Sequence, residues 1–185
     1  MEDTKIINEV IEYLDYLETP SENFGGMAVC PFLRKERVTK NLMIEIWRPN
    51  ENSFFEILDK FVESDKTSAV LVCMDTDGIM WKEIGRNKYQ KAMQIAMEEK
   101  GYKKQKALCF SPWEEWSVAG EETRKKAPYF LINLADTDAL NEAHRSLWKT
   151  KYFDNFSEKE LERLKVYPKK KKVLHLILMK EPFDK

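Results

Sequence analysis

Short apolar runs that alternate with amphipathic segments are the feature that most constrains the fold of this chain. The run Ser68–Cys73 is apolar throughout after its first residue, which is typical of a strand covered on both faces of a sheet. Comparable runs are Asn41–Trp47, Ala107–Phe110, Tyr129–Leu134 and Val173–Met179. Between the runs, apolar residues recur at helical spacing. The alternation predicts an α/β sandwich of helices on a mixed sheet, with ferredoxin-like strand pairing as one form of it.

Start and stop signals place the helices between these strands. Asp3 or Thr4 is suited to cap a first helix that Pro20 ends, and Asp136 or Thr137 is suited to cap a later one. The other helical segments predicted by spacing are Asn52–Glu63, Asn87–Lys100 and a short helix that starts at Ser157. The sequence therefore predicts five helices.

The length of 185 residues fits one domain with a full hydrophobic core. We find no internal repeat and no low-complexity linker. The prediction is a single α/β domain over residues 1–185, in which residues 1–20 form an N-terminal helix. Residues 169–185 are predicted to form a basic flank, Lys169–Lys172, followed by a C-terminal strand.

Charge and hydropathy exclude two classes of partner at this stage. Basic and acidic side chains number 31 and 32, so no basic surplus is available for nucleic acid. No apolar stretch approaches the roughly 20 residues that a membrane span requires. The three cysteines are widely spaced and odd in number, which predicts reduced thiols and a cytoplasmic protein.

The long polar connection between Phe110 and Tyr129 is the strongest candidate for a ligand-binding loop. Trp113 and Trp116 are suited to stack on a planar ligand, and Tyr129 closes the segment. Arg124 is suited to bind a carboxylate or phosphate as an anion clamp. Glu114 or Glu115 is suited to carry a proton. The alternative is that both indoles plug the end of the core while the charged side chains face water.

Cys30 is the strongest candidate for a reactive thiol. It is followed by Phe32 and by a basic run that includes Arg34, and nearby cations stabilise a thiolate. Phe32 and Arg34 are accordingly predicted to contact a ligand. The alternative is a small buried apolar residue, because free cysteine is among the most buried residue types. If a metal is bound, Cys30 and His144 are the candidate ligands, although a hydrogen-bonded histidine is the plainer interpretation of His144.

The chain carries Cys30-Pro31-Phe32, later Phe110-Ser111-Pro112, and then Arg124 followed by Pro128-Tyr129. These short motifs resemble those of the uncharacterised bacterial domain-of-unknown-function family 1415. Members carry a Leu-Cys-Pro-Phe motif and a later Arg-Ser-Pro-Tyr-Pro segment, and the likeness covers roughly residues 12–143. This chain differs in having Ser111 where the family tends to have histidine, and it lacks a second proline after Tyr129. The resemblance singles out Cys30, Pro31, Phe32, Phe110, Pro112, Gly120, Arg124, Pro128 and Tyr129. It implies a site but supplies no activity.

Three functions are open at this stage. The first is an enzyme acting on a small polar or planar metabolite, in which Cys30 and the loop containing Arg124 converge at one end of the sheet. The second is a non-catalytic ligand-binding or regulatory protein with an aromatic loop. The third is a homodimer that pairs through the apolar C-terminal run. Neither a dinucleotide nor a nucleoside triphosphate motif is present, so no standard nucleotide enzyme is indicated. Whether a metal or redox cofactor is bound, and which one, stays unknown.

Overall fold

The computed structural model describes residues 2–74, 85–113, 118–119 and 126–164. Within them the helices are α1 Glu2–Leu17, α2 Leu33–Val38, α3 Phe54–Glu63, α4 Arg86–Glu99, α5 Thr137–Leu147 and α6 Glu158–Leu164. The strands are β1 Pro20–Ser21, β2 Met27–Ala28, β3 Leu42–Trp47, β4 Ser68–Cys73, β5 Gln105–Phe110 and β6 Phe130–Asp136. The predicted C-terminal strand and basic flank lie outside these ranges.

A four-stranded mixed sheet forms the centre of the described structure, with the order β3-β4-β6-β5. Strands β3 and β4 are parallel, and β6 is antiparallel to both β4 and β5. The predicted α/β class and mixed sheet are confirmed. The ferredoxin-like pairing is wrong, because β3 and β4 are joined by α3 and bond directly to each other, whereas the split βαβ unit of that fold has another strand between them.

Side chains that alternate along each strand make two cores, one on each face of the sheet. On β4, Ala69 and Leu71 point toward α3 and α4, while Val70 and Val72 point toward α1. Both faces of this strand are buried, which explains its continuously apolar sequence. The result is a helix, sheet, helix sandwich of the kind that the alternating pattern predicts.

The starts of two helices follow the capping signals. Ser53 and Glu56 form a reciprocal capping box at α3. The carboxylate of Asp136, one of the two caps predicted for α5, accepts from the N–H groups of Asp138 and Ala139. These caps satisfy backbone donors that a helix cannot satisfy by itself, and so they fix where each helix leaves its strand.

Helix α4 closes the outer edge of β5 with side chains spaced one turn apart. The amide oxygen of Gln90 accepts from the Cys109 N–H at 2.9 Å, and that of Gln94 accepts from the Ala107 N–H at 3.1 Å. Arg86 donates to the Cys109 carbonyl at 3.0 Å. Backbone groups that an edge strand would otherwise offer to another chain are therefore already bonded.

A third apolar cluster, which we call the aromatic cluster, lies past the C-terminal end of α1. Its buried members are Phe24, Ala119, Leu147, Tyr152, Phe153 and Leu161, with Phe32, Trp148 and Phe156 among those at its margin. Tyr152 donates to the carbonyl of Val29 and so attaches the cluster to the segment before Cys30. Gly25 sits beside it with φ 63°, in the left-handed region that favours glycine.

Within the described ranges, no helix combines the length and the apolar character that crossing a bilayer requires.

Candidate functional site

A cavity of about 300 Å³ opens at the end of the sheet where β4 finishes. In open α/β sheets this end, at the carboxyl ends of parallel strands, is where ligands usually bind. Residues from three neighbouring strand ends line the cavity. They are Cys73, Met74, Pro112, Trp113, Pro128, Tyr129 and Phe130.

Strand ends that turn sharply shape this cavity. After β5 finishes, the buried hydroxyl of Ser111 accepts from the Trp113 N–H at 3.2 Å, which holds the turn around Pro112. Trp113 is 55% exposed at this opening. Pro128, which leads into β6, and the buried Cys73 at the end of β4 also line the cavity. Burial raises the pKa of the Cys73 thiol well above its usual value.

Tyr129 connects the cavity wall to α1. Its hydroxyl donates a hydrogen bond to the carboxylate of Glu9, and that bond is the main reason why the pKa of Tyr129 rises to about 12. The phenolate form would lose this bond and would face a negative charge. Tyr129 is therefore a neutral wall of the cavity across the physiological pH range.

Two of the predicted ligand-binding residues, Trp113 and Tyr129, line the same cavity. The other candidates of the connection, Glu114, Glu115, Trp116 and Arg124, lie outside the described residues. Of the predicted aromatic loop, the structure describes the two ends and residues 118–119. Trp113 and Tyr129, from the two ends, line one cavity.

Cys30 lies at the other end of the sheet. The backbone N–H of Cys30 donates to the carbonyl of Leu17, the last residue of α1, over 3.2 Å. The thiol lies near Glu36, whose negative charge raises the pKa of the thiol. Glu36 in turn accepts from the hydroxyl of Ser68, where β4 begins. Strand β4, roughly 17 Å long, therefore separates Cys30 from the cavity. Val118 and Ala119 of the predicted loop, however, pack in the aromatic cluster with Val29 and Phe32, which stand on either side of Cys30 in the sequence. Arg124 lies outside the described residues, so its predicted convergence with Cys30 stays a prediction.

The cations behind Cys30 do not lower its pKa as expected. Desolvation by burial is the largest effect and raises the pKa of the thiol. Hydrogen bonds from the backbone N–H groups of Leu33 and Phe32 lower it by less, and the charges of Glu18 and Glu36 add a smaller upward shift. Arg37 instead bonds to Asp15 at 2.5 Å and to Glu18 at 2.7 Å. Cys30 is exposed as a residue, whereas its sulfur is desolvated, and the surroundings of the sulfur favour the neutral thiol.

Three further residues were predicted to bind a ligand or a metal together with Cys30, and the structure shows where each of them lies. Phe32 is partly buried at the margin of the aromatic cluster, and Arg34 is exposed on α2. His144 packs edge-on against Phe153, with ring centroids 6.3 Å apart. Burial, with a smaller contribution from Lys106, lowers the pKa of His144. Across the described ranges, no three side chains of the His, Cys, Asp and Glu types come together as a metal site.

Sequence reasoning missed three lining residues, Cys73, Met74 and Phe130, and it also missed Glu9, the partner of Tyr129. Cys73 was assigned to the strand core, and burial agrees, but it also lines the cavity. Glu9 belongs to the polar side of the α1 pattern and carries no local signal of a partner 120 positions away. The signal for Cys73 was its place as the last residue of a buried strand, at the end where ligands bind.

No family model, curated protein or solved structure matches this chain.

Proposed function

We propose that this protein is a non-catalytic small-molecule-binding protein, and that its ligand is a planar, largely apolar compound. The single observation that carries the proposal is that Trp113 and Tyr129 line one cavity at the carboxyl end of β4. The ligand would stack on the exposed indole of Trp113 and contact the ring of Tyr129.

The chemistry of the lining supports this ligand class. Among the described lining residues, three are aromatic, two are prolines and two carry sulfur, and none is charged. A site of this kind favours a neutral planar group over a polyanion. The volume of about 300 Å³ is at the small end of ligand sites, so a compound of one or two fused rings fits the proposal.

The enzyme hypothesis has less support. It required a reactive Cys30 beside the ligand, yet Cys30 is at the opposite end of the sheet and its thiol pKa is raised. The roles predicted for Arg124, Glu114 and Glu115 stay predictions. A cytoplasmic location also stays part of the proposal, and three unpaired cysteines support it.

Binding of 2-naphthol, followed by two-dimensional amide NMR, tests the proposal. We expect saturable shifts at the amides of Cys73, Trp113 and Phe130. The Trp113→Ala variant should bind roughly fivefold more weakly, because about 1 kcal/mol of aromatic stacking is lost. The matched control is Ile95→Ala, which removes an exposed apolar side chain from α4 away from the cavity and should bind like the original protein.

Two results would count against the proposal. One is that no cavity amide shifts at millimolar 2-naphthol while the protein stays folded. The other is that Trp113→Ala and Ile95→Ala bind the probe equally well, which would place the probe elsewhere on the surface.

A further inference from the structure

The outer edge of β3 offers a row of unpaired backbone groups. The carbonyls of Asn41 and Trp47 bond toward β4, to the N–H groups of Ser68 and Met74. Peptide groups alternate in direction along a strand, so the residues between them whose N–H and C=O point away from β4 are Leu42, Ile44 and Ile46. Within the described ranges β3 pairs only with β4, so this row has no strand beside it.

The two edges of the sheet, β5 and β3, differ in how their outward backbone groups are bonded. The edge of β5 is bonded by α4 side chains, as described above. Strand β3 has no proline, and its one charged side chain, Glu45, is bonded to Lys60 at 2.7 Å. Natural proteins usually cover or blunt such an edge, because it pairs readily with any extended segment. Among the described residues, β3 lacks the cover that α4 gives to β5.

The side chains of β3 are less buried than those of its neighbour β4. All residues from Leu42 to Ile46 are only partly buried, whereas β4 is buried from Ala69 to Cys73. The partly buried side chains belong to both faces: Ile44 and Ile46 border the core under α1, and Met43 borders the core under α3. An additional strand at this edge would have apolar surface to cover on both of its faces.

We propose that residues Val173–Met179 of this same chain pair with the outer edge of β3 as a fifth strand of the sheet. The segment is seven residues long, against six for β3, and His175 is its one polar residue. A strand with apolar residues at both even and odd positions is the type that is covered on both faces. The segment and the edge strand are thus similar in length, and both are mostly apolar.

The segment follows a helix that packs in the same cluster as the residue directly before α2. Helix α6, which precedes the segment, contributes Leu161 to the aromatic cluster, and Phe32 of that cluster stands directly before α2, which leads into β3. The eight residues 165–172 can span up to about 29 Å when extended. A tethered segment also competes at a millimolar effective concentration against a second copy of the chain. We therefore assign the edge to the chain's own segment rather than to a homodimer.

Amide hydrogen exchange by NMR tests the pairing, with an internal control built into β3. The N–H groups of Met43, Glu45 and Trp47 point toward β4 and should exchange slowly in every folded variant. The N–H groups of Leu42, Ile44 and Ile46 should be equally slow in the full chain. Removal of residues 173–185 should accelerate these three by about tenfold or more. A control that removes only residues 180–185 should not.

Each remaining outcome has a fixed meaning. Fast exchange of the three outward amides in the full chain would overturn the proposal, even if the shortened variant fails to fold. Protection that disappears on dilution of the full chain would assign the edge to a second copy and would equally overturn it. Restoration of protection in the shortened chain by an added peptide of residues 169–179 would support it.

Discussion

The hydroxyl of Tyr129 and the carboxylate of Glu9 form a hydrogen bond between the wall of the cavity and the middle of α1. The two residues are 120 positions apart in the chain. The bond therefore fixes the helix over the sheet and the ring of Tyr129 in the cavity at the same time.

The Tyr129→Phe variant removes this bond and keeps the ring. We expect its free energy of unfolding at pH 7 to fall by about 1 kcal/mol, because a hydrogen bond to a charged acceptor is lost and both groups stay near water. Urea unfolding measures the change. In the double variant Tyr129→Phe, Glu9→Ala, the loss should be smaller than the sum of the two single losses. Additive losses would show that the two side chains are not coupled.

The same bond makes stability depend on alkaline pH. The pKa of Tyr129 is about 12 in the folded protein against 10 for a free tyrosine, so the bond stabilises the fold fully below pH 10. Its contribution is lost as the pH rises from 10 through 12. We expect the free energy of unfolding of the original protein to approach that of Tyr129→Phe over this window. A constant difference between the two proteins up to pH 12 would contradict the prediction.

Iodoacetamide labelling of Cys30 against pH is expected to give an apparent pKa above that of free cysteine. The physical reason is desolvation of the thiol together with the carboxylates of Glu18 and Glu36. Labelling is measured by mass spectrometry in a Cys73→Ala, Cys109→Ala background, with the urea-unfolded protein as the reference. An apparent pKa below the reference value would restore Cys30 as a reactive thiol.

Gly25→Ala should destabilise the protein more than Gly26→Ala. Both glycines have positive φ, 63° and 77°, so either substitution carries the strain of a left-handed conformation, about 1–2 kcal/mol. Only at Gly25 would the new Cβ lie 2.6 Å from the Cβ of Lys151, whereas at Gly26 it meets open space. Thermal unfolding compares the two. Equal losses would mean that the loop moves aside without cost.

The double variant Gln90→Ala, Gln94→Ala is expected to uncover the edge of β5. The N–H groups of Cys109 and Ala107 lose their acceptors, at a cost of about 1 kcal/mol each, and the edge becomes available for intermolecular pairing. Urea unfolding and light scattering should show lower stability and concentration-dependent association. The control is Lys88→Ala with Lys91→Ala, which changes two other α4 side chains. Association of the control to the same extent would exclude the edge as its cause.

Local patterns were sufficient for the elements of the fold but not for their pairing. The run Ser68–Cys73 was predicted with its observed bounds, because a strand buried on both faces has few alternatives. The order of the strands was not predictable, since nothing in β3 or β5 says which edge each takes. Partner choice depends on which faces the helices cover, and that is settled only when the whole core packs.

The candidate site was predictable only in part for a related reason. Trp113 and Tyr129 stand at the two ends of one connection, and the strands β5 and β6 that hold it are neighbours, so their proximity follows from the chain itself. Cys30 comes from a different part of the chain, and its position depends on the path of α1 across the sheet. No local signal shows that α1 carries its C-terminal end away from the cavity.

The direction of α1 also decides where this protein tolerates an attachment. Asp3, in its first turn, bonds to Arg48 just after β3, at the same end of the sheet as the cavity. A purification tag or fusion partner joined ahead of Glu2 would thus emerge beside the opening where the ligand is proposed to enter. Fluorescent reporters for binding studies are better grafted onto the exposed surface around Arg34, at the far end of the molecule.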